Sequence, residues 1–153
     1  MAKFVTIGER IHCMAPNIRE ALDTHTPDEI LRVAKEQLDA GAVYLDVNIG
    51  PAEAKGPETM KWAVQLLQDN FDNVPLSLDT VNKAAIEAGL SVYNRSKGKP
   101  IINSADAGDR LNNIDLAAAH DAICVTLCSK GSVPADNDER MGFCQLMLEH
   151  GLG

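Results

Sequence analysis

Positive charge is scarce in this sequence. Its 153 residues contain 14 Lys and Arg against 22 Asp and Glu, which gives a formal net charge of −8 at pH 7. The basic residues are scattered, so neither the basic stripe that binds nucleic acid nor a basic membrane-binding helix is present. No apolar stretch approaches the ~20 residues of a spanning helix, and the first residues lack the pattern of a signal peptide. We therefore expect a cytoplasmic protein that binds neither nucleic acid nor membrane.

Metal-binding and nucleotide-binding motifs are also missing. The four Cys show no C-x-x-C spacing and the four His do not complete a tetrahedral zinc set, so we expect no metal site. Neither the phosphate-binding pattern Gly-x4-Gly-Lys-Ser/Thr nor Gly-x-Gly-x-x-Gly occurs. Hydrophobic residues make up an ordinary 45% of the chain, and no linker or low-complexity tract divides it. Residues 1–153 are therefore predicted to form one domain with a sizeable core.

What the sequence does contain is a regular alternation of short apolar runs and helix-period segments. The alternation predicts a parallel sheet, because parallel strands need helical connections. The predicted strands are residues 4–10, 43–50, 74–80, 100–104 and 123–127.

The clearest helix start lies at Thr26. Thr26 is predicted to cap a helix whose first residue is Pro27, and Glu29 is predicted to close a capping box. The preceding residues 10–16 are predicted to form a loop rather than a helix.

Polar side chains stand at or near the carboxyl ends of the predicted strands. Parallel strands bring these ends to one edge, which is where α/β proteins bind their ligands. The side chains are Glu9, Asp46, Asn48, Asp79, Asn103 and Thr126. An alternative is that such residues cap the following helices, which suits Thr80 and Ser104. It suits Asp46 poorly, because two apolar strand positions still follow it.

Six short segments occur in the order and spacing of the pterin-binding methyltransferases, which the chain resembles over essentially its whole length. They are Gly-Glu-Arg-Ile at 8–11, Leu-Asp-Val-Asn-Ile-Gly-Pro at 45–51, Leu-Asp-Thr at 78–80, Ile-Glu-Ala-Gly-Leu at 86–90, Ile-Asn-Ser at 102–104 and Lys-Gly-Ser-Val-Pro at 130–134. This family is similar in fold to dihydropteroate synthase. Within it, the chain most resembles the methyltetrahydrofolate:corrinoid protein methyltransferases.

The resemblance implies a TIM (β/α)8 barrel with the pterin at its carboxyl mouth. About five of the eight βα units fall within residues 1–153, so the chain is expected to be the N-terminal part of the barrel. By resemblance, Asp79 and Asn103 match the family's pterin-binding carboxylate and amide. Asn48 and Glu9 match further motif positions near the mouth, and we predict that all four contact the substrate.

The implied reaction passes a methyl group from methyltetrahydrofolate to the reduced cobalt of a corrinoid on a partner protein. The chain itself has no Asp-x-His-x-x-Gly corrinoid signature, so only the partner is expected to carry the corrinoid. The family's proton-donating Asn is expected beyond residue 153, which leaves the catalytic residue of this chain unassigned and its activity alone uncertain. The open edges of a partial barrel suggest a homo-oligomer, most simply a dimer.

Three alternatives remain open at this point. One is dihydropteroate synthase, and another is a pterin-binding half-barrel without catalytic activity. Without the resemblance, the length and the alternation of elements fit a five-stranded, doubly wound flavodoxin-like domain equally well.

Overall fold

The computed structural model describes residues 4–153 as alternating strands and helices. In chain order the elements are β1 (Ile7–His12), α1 (Pro16–Thr24), α2 (Pro27–Asp39), β2 (Tyr44–Asn48), α3 (Gly56–Asn70), β3 (Leu76–Asp79), α4 (Lys83–Val92), a 3-10 turn (Arg95–Lys97), β4 (Ile101–Asp106), α5 (Asn113–Ala119), β5 (Ile123–Leu127) and α6 (Asn137–Leu152). The alternation and the parallel strand pairing confirm the predicted α/β class and are those of a partial (β/α)8 barrel. No helix in the described residues is long and apolar enough to span a membrane.

The chain divides into two compact units, the first ending at Pro100 and the second comprising Ile101–Gly153. In the first unit, β1 pairs in parallel with β2 and β2 with β3. Leu45 and Val47 of β2 are fully buried, and so are Leu76 and Leu78 of β3. Such apolar strands, covered on both faces, are typical of parallel sheets.

The helices of the first unit pack closely because of one glycine. A Cβ atom at Gly89 of α4 would lie 2.7 Å from Cγ of Met60 and 3.1 Å from Cδ1 of Leu78. Met60 belongs to α3 and is fully buried. Only a residue without a side chain therefore lets α4 approach both α3 and β3 at this point.

In the second unit, β4 pairs in parallel with β5. The register is interrupted once, since Asn103 lies opposite Val125 while Ala105 lies opposite Thr126. Ser104 is therefore an extra residue, and the strand has a β-bulge there. The bulge lies next to Asn103, one of the predicted substrate contacts.

Two local predictions were wrong. The stretch predicted as a loop up to residue 16 ends in a helix, since α1 begins at Pro16, and Ile11 is a fully buried residue of β1. The capping box is also absent: Thr26 stands at the N-cap position before Pro27, but its hydroxyl bonds to Thr24 Oγ1 and does not cap. Glu29 bonds instead to Arg32 and to Asn17.

Candidate functional site

The site begins with two side chains at the carboxyl ends of neighbouring parallel strands. Asn48 ends β2 and Asp79 ends β3, and the two residues lie directly opposite each other. Asn48 Nδ2 donates a hydrogen bond to Asp79 Oδ2 at 2.5 Å. The register of two parallel strands thus brings together two of the four predicted contacts, as the sequence suggested.

The orientation of the Asn48 amide is fixed by its surroundings. Its Oδ1 accepts a hydrogen bond from the Gly50 backbone N–H at 2.9 Å and a weaker one from the Cys13 thiol at 3.7 Å. Because both contacts are made to the oxygen, the amide nitrogen must face Asp79. The Asp79 carboxylate is therefore oriented by Asn48, whose own amide is fixed by its contacts with Gly50 and Cys13.

Gly50 closes the turn that follows β2. Its φ is +66°, and a Cβ atom there would lie 2.7 Å from the Cys13 sulfur, so only glycine fits without strain. Its carbonyl accepts a hydrogen bond from Thr80 Oγ1 at 2.5 Å, and Thr80 Oγ1 in turn accepts from the Asn82 N–H. Thr80 therefore ties the turn after β2 to the end of β3.

Ser77 and Asp46 lie on the same strand faces as Asp79 and Asn48, two residues earlier, and are opposite each other in the register. Both are almost completely buried, with 1% of Ser77 and 4% of Asp46 exposed. Within residues 4–153 the Ser77 hydroxyl has no hydrogen-bond partner. A buried hydroxyl left unpaired in this way is unusual, since most buried polar groups are hydrogen-bonded.

Glu9, another predicted contact, lies apart from this pair. His12, not Glu9, is the β1 residue opposite Asn48, and Glu9 lies three positions earlier in an irregular stretch of the pairing. Its side chain is exposed and has no hydrogen bond to any residue between 4 and 153.

Asn103, the fourth predicted contact, lies on β4 in the second unit beside a network that the sequence did not reveal. Arg110 donates from Nε and NH2 to Asp106 Oδ2 at 3.0 and 2.7 Å, and from NH1 to Ser104 Oγ at 3.1 Å. Asp106 Oδ1 accepts from the backbone N–H groups of Gly108 and Arg110. Burial by itself raises the pKa of Asp106, but these hydrogen bonds outweigh it and lower the pKa below its usual range.

A cavity of about 440 Å³ opens between the loops that follow β1 and β2, and its wall includes Cys13, which contacts Asn48. Its floor is apolar and includes the buried residues Leu22 and Ile49. Arg19 and Lys55 line it with their cationic side chains. The remaining lining residues are Cys13, Met14, Asp23, Pro51, Ala52, Glu53, Ala54 and Thr59. Its volume is in the range of small-molecule sites.

The cavity cations and the Asp106–Arg110 pair are functional candidates that the sequence analysis missed. The pair had a signal, namely an acid and an arginine four residues apart around Gly108, two residues after the predicted strand 100–104. The cavity was not predicted, in part because one of its walls, with Arg19, Leu22 and Asp23, belongs to the helix α1, which was predicted as a loop at its start. Across residues 4–153 no group of three or more His, Cys, Asp or Glu side chains could hold a metal ion.

The chain is similar to the methylcorrinoid:tetrahydrofolate methyltransferase of Eubacterium limosum, with 23% identity over 150 residues. The alignment covers 95% of this chain and 54% of that protein, so the chain spans about half the length of the relative. The sequence profile of the family described as pterin binding enzyme matches residues 17–144. Since this match covers most of the sequence, the chain belongs to the pterin binding enzyme family.

Proposed function

We propose that this chain binds the pterin ring of a tetrahydrofolate and takes part in methyl transfer between that substrate and a corrinoid carried on a partner protein. The observation that carries the proposal is the Asn48–Asp79 pair, which stands at the carboxyl ends of β2 and β3 in a member of the pterin binding enzyme family.

The donors and acceptors of the pair suit one edge of a pterin. That edge presents ring N–H and amino donors, and an ionised carboxylate can accept at two oxygens. Asn48 donates to Oδ2 of Asp79 and so fixes the orientation in which the carboxylate would meet these donors. The Asn103 amide is proposed to serve the acceptor atoms of the ring.

The cavity is proposed to receive the part of the substrate that extends beyond the ring. Its apolar floor suits an aromatic group, and Arg19 and Lys55 suit terminal carboxylates. Cys13 belongs both to the cavity wall and to the contacts of Asn48, so the two places adjoin.

The corrinoid is proposed as the second substrate. The relative is named for transfer from a methylcorrinoid to tetrahydrofolate, whereas the resemblance in the sequence led us to expect the opposite direction. Both directions share one transition state, in which the methyl group lies between the pterin nitrogen and the cobalt. The nitrogen gains a proton when the methyl group leaves it and loses one when the methyl group arrives.

Ligand titration of the 153-residue chain tests the pterin assignment. Calorimetry would compare three ligands. Methyltetrahydrofolate carries both the ring and the tail, 6-methyltetrahydropterin carries the ring alone, and p-aminobenzoylglutamate carries the tail alone. We expect affinity to fall in that order, because the ring meets the half-buried Asp79, which Asn48 holds in place, whereas the tail meets exposed cations. Binding of the tail alone as tight as that of the complete folate would contradict the assignment.

An activity assay separates methyl transfer from the dihydropteroate synthase alternative. The protein is supplied with methyltetrahydrofolate and a reduced corrinoid, and formation of the methylated corrinoid is followed by visible absorbance. A parallel reaction contains pterin pyrophosphate and p-aminobenzoate, for which we expect no product. Condensation in the second reaction without methyl transfer in the first would favour the alternative.

The proposed partners are a corrinoid protein and a second copy of the chain. The second unit exposes apolar side chains on β5 and α6 that a self-association would cover; they are Ile123, Leu127, Met141, Leu148 and Leu152. Sedimentation equilibrium measures the molecular mass in solution. A mass equal to that of a single chain at every concentration would argue against a dimer.

A further inference from the structure

The β-bulge at Ser104 lies directly after the amide that we propose as a pterin contact. Asn103 still pairs with Val125, and the next regular pair is Ala105 with Thr126, so Ser104 has no opposite residue. Bulges are common beside active sites because the extra residue re-aims its neighbours. The direction of the Asn103 side chain therefore depends on how the bulge is held.

Two side chains hold the bulge through hydrogen bonds to the hydroxyl and the carbonyl of Ser104. The Ser104 hydroxyl accepts a hydrogen bond from Arg110 NH1 at 3.1 Å, and the Ser104 carbonyl accepts one from Asn113 Nδ2 at 2.9 Å. Ser104 and Asn113 are only 3% and 4% exposed. These side-chain donors serve an extra residue that has no place in the ladder between β4 and β5.

Arg110 is in turn fixed by Asp106. Two of its nitrogens donate to one carboxylate oxygen, and the other oxygen accepts from two backbone N–H groups of the same loop. Only 7% of the Asp106 side chain is exposed, against 26% of Arg110. With its Nε and NH2 engaged, the guanidinium can reach Ser104 only through NH1, and its planar shape sets that direction.

We propose that Arg110 is a positioning residue for pterin binding, which holds the bulge at Ser104 so that the Asn103 amide meets the substrate. This inference rests on the proposed function, because it takes Asn103 as a substrate contact. The competing explanation is that the same bonds only close the loop between β4 and α5.

A double-mutant cycle distinguishes the two explanations. The affinity of the full chain for methyltetrahydrofolate is measured by calorimetry for Arg110→Lys, Asn103→Ala and the double variant. Lysine keeps a positive charge beside Asp106, so the carboxylate is not left unpaired. Lysine cannot, however, donate to Asp106 and Ser104 with the geometry of the guanidinium. Asp115→Asn, which alters the contact of Asp115 with His150 in the same unit, is the matched control.

If Arg110 acts through Asn103, Arg110→Lys weakens binding of methyltetrahydrofolate by about threefold to thirtyfold, which is within the range of coupling between neighbouring residues. In the Asn103→Ala background, Arg110→Lys causes no further loss of affinity. The control binds like the unaltered chain. Should Arg110→Lys not fold, which a denaturation midpoint reveals, Ser104→Ala takes its place in the cycle, since it removes only the hydroxyl that Arg110 contacts.

Two results would overturn the inference, and they differ in what they say of the proposed function. In the first, Arg110→Lys lowers the affinity by the same factor in the unaltered chain and in Asn103→Ala. Asn103 then stays a substrate contact, but Arg110 has only a structural role. Unchanged affinity in Asn103→Ala removes Asn103 from the proposed function, and the positioning role falls with it.

Discussion

At the scale of single residues, the candidate site depends on side chains whose partners leave them one orientation. Asn48 bonds to a backbone N–H, a thiol and a carboxylate, and Arg110 bonds to Asp106 and to Ser104. Parallel register made the Asn48–Asp79 pair predictable, since both residues end their strands. The contact between Arg110 and Ser104 was not predictable, because it depends on a bulge that strand periodicity does not reveal.

Tyr93 offers a test of how the first unit is held together. Its hydroxyl accepts a hydrogen bond from the Leu76 N–H at 2.9 Å, at the first residue of β3, and only 7% of the residue is exposed. Burial raises the pKa of Tyr93 to about 12. An unfolded tyrosine titrates near pH ~10, so between these values the unfolded chain has lost a proton that the folded chain keeps.

We therefore expect the free energy of unfolding to fall as the pH rises from about 10 to about 12, because the stabilising effect of the neutral Tyr93 phenol is lost in this range. Urea denaturation across this range measures it, and Tyr93→Phe should remove that part of the slope while lowering stability by about 1–3 kcal/mol at neutral pH. Tyr44→Phe is the control and should retain most of the slope, since burial is the main cause of the raised Tyr93 pKa. A slope identical in Tyr93→Phe and the unaltered chain would show that the phenol does not titrate with unfolding.

At the scale of elements, helix starts were the least predictable feature. α1 begins after Ala15, which provides no side-chain cap, so its start signal was only Pro16 at the first helical position. α2 had a strong signal at Thr26, yet the Thr26 hydroxyl bonds elsewhere. The site's own helix, α4, is capped by Asn82, whose Oδ1 accepts from the Ala85 N–H at 3.2 Å.

Asn82 and Thr26 make a matched pair of cap variants. Asn82→Ala should lower the free energy of unfolding by about 1–2 kcal/mol, because it removes a capping acceptor and also the bond from Asn82 Nδ2 to the Glu53 carbonyl. Thr26→Ala should cost less, since no capping bond is lost. Urea midpoints compare the two, and an equal or larger loss for Thr26→Ala would contradict the assigned caps.

At the scale of the whole molecule, the alternation of strands with helical segments and the parallel pairing followed from the sequence, although α1 did not. Apolar runs of strand length, separated by helix-period segments, leave few other arrangements. The boundary of β1 did not follow: the strand is Ile7–His12 rather than residues 4–10, because Ile11 is fully buried while Phe4 is 97% exposed. Hydrophobic pattern alone could not tell which of these residues belongs to the core.

The central claim is that Asp79, held by Asn48, binds the pterin. The direct measurement is the dissociation constant of methyltetrahydrofolate for Asp79→Asn, with Asp72→Asn as the control in the same unit. The Asp72 side chain is 96% exposed and, among residues 4–153, pairs only with Lys97. Loss of a charge-assisted hydrogen bond should weaken binding about tenfold to a hundredfold in Asp79→Asn. Asp72→Asn should bind as the unaltered chain does, and equal affinities for all three proteins would contradict the claim.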